Sequence, residues 1–286
     1  MNELKIHGHS GCGLRVVEDN TGKLLVEKSC EESYQKRLHS QYLKQLHGAQ
    51  VSLAWPDMPF STPYPSWVGT CMLMPYINAM SFIEYFEKAG KDDLDNLVNG
   101  LYEYVKLEMT NSQVEEVPVS KFIKKVQSVY ENCLKNEIVD NDKAKEVCEY
   151  VIDYLKNLDM ILLHTGMCHG DLTFSNILFR SSGKHSLIDY LDSFVETPLQ
   201  DIVKIRQDTA YGWSLMMTDQ SYNIAHVKTV MKYIDDRLTE KFQDNDEYVK
   251  YYDMLQYINI LRILPYVKEV KVYDRLIEIL NSIELK

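Results

Sequence analysis

The stretch His169-Gly170-Asp171-Leu172-Thr173-Phe174-Ser175-Asn176 decides how this chain is read, together with a second, Leu187-Ile188-Asp189-Tyr190. Between them they supply a carboxylate, an amide and a second carboxylate. Asp171 and Asn176 are five positions apart, and Asn176 and Asp189 are thirteen apart. The residues between predict a hairpin: Ile177-Leu178-Phe179 is apolar, Ser181-Ser182-Gly183-Lys184 is a turn, and Ser186-Leu187-Ile188 is apolar again. Such a hairpin returns Asn176 and Asp189 to one end. A carboxylate beside an acceptor O–H orients it and takes its proton. An amide oxygen and a second carboxylate are hard oxygen ligands of the kind magnesium accepts. Movement of a γ-phosphoryl group needs both parts, because it is mostly positioning and charge neutralisation.

The interval from Asp171 to Asn176 is that of the protein-kinase catalytic loop H-R-D-L-x-x-x-N, with Gly170 in place of the Arg, and Asp189 stands where the Asp of D-F-G would. H-G-D-L-x-x-x-N followed by I-D-Y resembles the aminoglycoside phosphotransferase and choline kinase superfamily, which shares the protein-kinase-like fold. The motifs run from about Gly8 to Asp201, and the C-terminal third carries none. The resemblance implies an α+β, two-lobe fold: a small antiparallel-sheet lobe over residues 1–74 that binds ATP, and a mainly helical lobe over 75–286 with the catalytic loop and acceptor site. It implies ATP-dependent phosphorylation of a small-molecule hydroxyl, with ATP and Mg2+ as cofactors. Asp171 is then the catalytic base, and Asn176 and Asp189 are the magnesium ligands. An amino sugar, a choline-like alcohol and a glycan-related sugar are the acceptor options. Asp189 is followed by Tyr190-Leu191 and no Ala-Pro-Glu comes after it, which argues against a protein substrate.

Upstream, Lys5-Ile6-His7, Leu14–Val17 and Leu24–Lys28 predict three short strands. The first two are joined by Gly8-His9-Ser10-Gly11-Cys12-Gly13, spaced G-x-x-G-x-G rather than the kinase G-x-G-x-x-G. A glycine-rich hairpin lets backbone N–H groups approach phosphates, so Ser10, Gly11 and Gly13 are candidates for ATP binding. Lys28 ends its strand as the lysine of V-A-I-K does, and is assigned to the ATP phosphates. Residues 31–47 predict a helix, with Leu38, Tyr42 and Leu46 four apart and Gly48 as its C-terminal cap. In the resembled family this helix carries the acidic partner of the strand lysine. Here no Asp or Glu occurs from Ser33 through Pro56. Glu31 and Glu32 lie at the start of the helix. Gln41 and Gln45 are better placed along it, and a glutamine oxygen accepts a hydrogen bond without ion-pair energy.

Residues 49–70, with four prolines, predict irregular loop around at most one short strand. Cys71–Met74 is an apolar strand leading into Pro75-Tyr76. The resemblance makes this the hinge, where backbone groups of Met74 and Tyr76 bind the adenine edge. Helical periodicity follows, including stretches at about 120–134 and 142–163. His169 is read as holding its loop. Asp192 either faces the acceptor or is a loop acid, and Asp201 is a helix N-terminal acid bracing the catalytic loop. Tyr211, Trp213, Tyr251 and Tyr252 are candidates for stacking on an acceptor.

The formal net charge of −11 argues against a nucleic-acid partner, which favours a basic patch. No apolar run approaches the roughly 18 residues that span a bilayer, so no membrane partner is expected. Met1–Lys5 has no apolar h-region, and the six cysteines are scattered without metal-ligand spacing. Together these predict a cytoplasmic protein with reduced thiols. The alternative reading is a non-catalytic, nucleotide-binding pseudokinase acting through a protein partner. The missing helix acid favours it, and the intact Asp171, Asn176 and Asp189 set argues against it.

Overall fold

The computed structural model describes residues 5–7, 12–58, 60–181, 184–218 and 220–285, with the backbone alone at 5–7. The chain opens with β1 (Lys5–His7), β2 (Cys12–Glu18) and β3 (Leu24–Cys30), where three strands are expected. Helix α1 (Gln35–Ala54) follows, then β4 (Phe60–Ser61), β5 (Ser66–Val68) and β6 (Cys71–Pro75). Five of these strands form one antiparallel sheet in the order β1-β2-β3-β6-β5. Side chains alternate across a strand, so the register Val26↔Met74 and Lys28↔Met72 puts Lys28 on the face that carries Met72 and Met74. Leu38 of α1 packs on those two methionines, with Val26, Cys30, Tyr42 and Trp67 around them. Lys28 is therefore carried on the face covered by α1, and its side chain is only 2% exposed.

After α2 (Phe82–Lys88), opened by a capping box between Ser81 and Glu84, come α3 (Lys91–Thr110), β7 (Gln113–Val117), α4 (Val119–Cys133), α5 (Asn141–Lys156) and β8 (Ile161–Thr165). The predicted hairpin is β9 (Ile177–Leu178) with β10 (His185–Leu187), and β10 also pairs with β4 in parallel. The rest is helical: α6 (Pro198–Thr209), α7 (Trp213–Met216), α8 (Ile224–Phe242), α9 (Asp246–Leu261) and α10 (Val270–Ser282). The architecture is α+β, as expected, with a small antiparallel sheet and a large helical part.

Two compact units divide the chain. One comprises 1–104, 169–193 and 222–227; the other comprises 105–168, 194–221 and 228–286. The first joins the sheet and α1 to the H-G-D loop and its hairpin. In the second, α9 is almost wholly buried, and α4, α5, α6 and α10 all pack on it.

Four expectations change. Helix α1 does not stop at Gly48 but runs on to Ala54, because Gly48 is a close-approach residue and not a cap. A Cβ there would lie 2.7 Å from the Tyr190 ring. The helix expected to reach residue 163 ends at Lys156, and Ile161–Thr165 pairs instead with β7, burying Ile161 and Leu163 in alternation. The region 49–70 holds two short strands, not at most one, after the last helical residues of α1. Tyr251 and Tyr252 are internal rather than stacking platforms. The Tyr251 hydroxyl accepts from the Leu162 N–H, and the Tyr252 ring lies under the Arg206 guanidinium at 4.6 Å. That guanidinium also forms an ion pair with Asp235.

Candidate active site

His169 is fully buried. Its Nδ1 accepts the Asp171 N–H at 3.3 Å, and its Nε2 lies 2.9 Å from the Ile188 carbonyl. Those partners assign the neutral tautomer with the proton on Nε2. Burial pushes its pKa down to about 4, so it stays uncharged while bridging the loop and the hairpin. The ring also packs on Tyr190, with centroids 4.2 Å apart. This is the loop-holding role expected of it.

Gly170 takes φ +82, a left-handed conformation that glycine adopts readily. It also admits a neighbour, since a Cβ here would lie 1.9 Å from the Leu191 carbonyl oxygen. No arginine could stand in its place.

Asp171 and Asn176 meet directly. Asn176 Nδ2 donates to the Asp171 carbonyl at 2.8 Å and to its Oδ2 at 3.0 Å. The amide orientation turns Oδ1 away from both bonds. Across the hairpin the Ile188 N–H donates to the Asn176 carbonyl at 3.0 Å, tying the amide to the residue before Asp189. Asp189 has φ +61, alone among the described non-glycine residues in having a positive φ. Strain of about 1–3 kcal/mol persists only where surroundings enforce it. Here they do: Ile188 is held on one side, and on the other the Leu191 N–H donates to the His169 carbonyl at 3.0 Å.

The carboxylate of Asp189 is the partner of Lys28, with Nζ and Oδ1 2.9 Å apart. Helix α1 supplies no acid. Gln45 Nε2 donates instead to the Pro63 carbonyl and contacts Met74 Sδ, so its amide braces the sheet. Gln41 is buried with Oε1 lacking a partner among the described residues. Helix α1 touches the segment after Asp189 through residues that sequence reading did not single out. Ser40 Oγ donates to Asp192 Oδ2 at 2.5 Å, and Lys44 Nζ donates to the Leu191 carbonyl at 2.5 Å. Asp192 is thereby shown to be a residue held by α1. No hydrophobic period marks Ser40 or Lys44; their spacing of four was the available signal.

Of the phosphate-loop candidates, Ser10 and Gly11 lie outside the described residues, while Gly13 sits in β2 opposite Ser29. Met74 is in the ladder opposite Val26 with its side chain turned into the core. The Tyr76 N–H donates to the Leu24 carbonyl at 3.0 Å, so the adenine edge would have to use other backbone groups of this segment.

Solved structures resemble this fold along nearly the whole chain. The choline kinase LicA from Streptococcus pneumoniae matches with TM-score 0.59 at 14% identity, covering 99% of this chain and 94% of that one. The gentamicin complex of APH(2")-IIa matches with TM-score 0.58 at 13% identity, covering 99% and 92%. Amicoumacin kinase hAmiN, in complex with AMP-PNP, Ca2+ and Ami, matches with TM-score 0.60 at 9% identity, covering 98% and 88%. The fold is that of the aminoglycoside phosphotransferase and choline kinase superfamily. Within that superfamily, the model of the ecdysteroid kinase-like family matches residues 79–206, a span that contains the H-G-D loop and Asp189. A search of curated proteins found no match.

Proposed function

We propose that the protein is an ATP-dependent phosphotransferase acting on a hydroxyl of a small molecule. One observation carries the reading. Five residues from three separated stretches are linked: Lys28 bonds to Asp189, the adjoining Ile188 bonds to Asn176, and Asn176 bonds to Asp171. Among them are a cation, two carboxylates and an amide, the groups that phosphoryl transfer requires.

In this reading, residues 1–74 form the ATP-binding lobe, and 75–286 provide the catalytic loop and the acceptor side. Asp171 orients the acceptor O–H and takes its proton as the oxygen attacks the γ-phosphorus, whose bond to the β,γ-bridging oxygen breaks so that ADP leaves. Asn176 Nδ2 holds the Asp171 carboxylate in place while Oδ1 faces elsewhere, and that oxygen with the Asp189 carboxylate fits a magnesium ion. Among the described residues no group of three or more His, Cys, Asp or Glu could hold a metal. Magnesium takes most of its remaining ligands from water and nucleotide phosphates. Magnesium, when bound, neutralises charge on the phosphates. Lys28 steadies the α- and β-phosphates, Gly13 with Ser10 and Gly11 lines their backbone approach, and the segment from Met74 to Tyr76 meets the adenine. No described helix is long and apolar enough to cross a membrane, and we place the enzyme in the cytoplasm, with no nucleic-acid partner.

The family match adds an ecdysteroid to the amino sugars, choline-like alcohols and sugars as acceptor classes to test. The experiment is ATP consumption with magnesium across that panel, beside Asp171→Ala. Turnover confined to one class and lost in the variant supports the reading and names the acceptor. A second reading, a nucleotide-binding pseudokinase, is favoured by the absence of an acid on α1. It expects a magnesium-dependent rise in melting temperature with ATP and no turnover on any acceptor.

A further inference from the structure

Helix α1 carries a polar stripe as well as its apolar one. Ser40, Lys44 and Gly48 recur every fourth residue and so lie along one face. They meet three successive residues in reverse order: Ser40 holds the Asp192 carboxylate, Lys44 holds the Leu191 carbonyl, and Gly48 makes room for the Tyr190 ring. Ser52 extends the stripe by one turn. Its hydroxyl lies 3.3 Å from Thr62 Oγ1, which is 2.7 Å from the Tyr190 hydroxyl. Every one of these residues belongs to the same compact unit. The segment that they grip begins one residue after Asp189.

We propose that this stripe is the positioning device for the Asp189 carboxylate, and that Lys44 is its principal residue. The inference rests on reading Asp189 as a magnesium ligand. Elsewhere in the superfamily fold, as the resemblance implies, an acid on this helix reaches the strand lysine; here α1 has no such acid and acts on the metal-binding segment itself. The physical case has two parts. First, Asp189 adopts a left-handed backbone that its flanking residues must enforce, and Lys44 acts on the C-terminal flank, where Leu191 also donates to His169. A hydrogen bond from an ammonium is about twice as strong as a neutral one. Second, the Leu191 carbonyl reaches Lys44 only because Gly170 has no side chain: an added Cβ would lie 1.9 Å from that oxygen and 3.0 Å from Lys44 Nζ. Gly170, in the place of the kinase Arg, and Lys44, on a helix without an acid, are two halves of one arrangement.

Lys44→Met keeps the apolar stem and loses the donor, and Lys44→Arg keeps a charged donor. For each, the magnesium concentration giving half-maximal ATP binding and half-maximal turnover is measured beside the melting temperature. A misplacement on the order of 1 Å can reduce rate by about 100-fold. Lys44→Met is therefore expected to raise the half-saturating magnesium by at least about 10-fold in both assays and to lower kcat by about 10- to 100-fold. Lys44→Arg should recover most of both, with the KM for the acceptor little changed. Unchanged magnesium dependence in Lys44→Met, with only a lower melting temperature, would overturn the proposal and leave Lys44 a packing residue. If Lys44→Met does not fold, Ser40→Ala decides by the same magnesium titration of binding, where no change overturns the proposal. A wild-type chain that binds ATP with magnesium but phosphorylates nothing removes the kinase reading alone, and the binding titration still judges the stripe.

Discussion

Lys28 and Asp189 form an ion pair across 161 residues of sequence, the ammonium 2% exposed and the carboxylate 32%. The cation assigned to the phosphates thus sits on the carboxylate assigned to the metal. In the proposed reading, magnesium at Asp189 would displace that cation, and nucleotide phosphates would receive it. Magnesium and ATP should therefore bind with strong positive coupling, each strengthening the other by the same factor. Calorimetric titration of each ligand, with and without the other, measures that factor. Independent binding would contradict the pair's proposed role.

Lys28→Met tests function and stability together. Removing one partner of a buried ion pair leaves the other charge uncompensated and costs about 3–5 kcal/mol when both are buried. Asp189 is 32% exposed and can be hydrated, so urea unfolding should show a smaller loss, about 1–2 kcal/mol, while ATP turnover falls by about 100-fold or more.

Gly170→Ala should destabilise strongly. The left-handed backbone alone costs about 1–2 kcal/mol for a residue with a Cβ, and the Leu191 carbonyl must also move. The expected outcome is a clear fall in melting temperature together with loss of turnover. A variant as stable as wild type would show that the close approach is not rigid.

Gly48→Ala sets two effects against each other. Alanine gains about 1 kcal/mol in a helix interior over glycine. Against this, the new methyl meets the buried Tyr190 ring, whose hydroxyl is anchored by Thr62, and overpacking costs about 1–3 kcal/mol. The net effect should be destabilising. Gly48→Ala combined with Tyr190→Phe should remain destabilised, because the ring carbon also lies within 3 Å.

Acid should weaken the fold through two buried histidines. Burial lowers the pKa of His169 and of His185 to about 4 from the ordinary value of 6.5. Between those values the unfolded chain binds more protons, so stability rises with pH across the window. The contribution is full above about pH 6.5 and is lost as the pH falls toward 4. Urea midpoints measured from pH 4 to 7 should show this slope, and His185→Gln should flatten it.

The parts of the site that were legible in the sequence share a cause. The spacing of Asp171, Asn176 and Asp189 is local, and alternating apolar residues with a turn specify a hairpin without reference to the rest of the chain. The three N-terminal strands were legible for the same reason. What was hidden is tertiary. The partner of Lys28 lies on the hairpin and not on the helix packed beside the strand. Gly48 looked like a cap because glycine ends many helices; its actual reason is the Tyr190 ring, remote in sequence. Ile161 fits the helical period that continues from Val151 and Tyr154, and only pairing with β7 makes it a strand residue. Ser40 and Lys44 have no apolar signature, so a hydrophobic-periodicity reading passes over them.

The partition of the chain bears on how such a protein diversifies. Every described residue to which we assign a part in phosphate chemistry falls in one compact unit, although 140 intervening positions separate Lys28 from His169. The other unit, built from 105–168, 194–221 and 228–286, contributes none of them. The bonds among Lys28, Asp171, Asn176 and Asp189 are all made within the first unit. Segments far apart in the sequence are thereby inherited as one three-dimensional piece, and a change in any of them is felt by its neighbours in that piece.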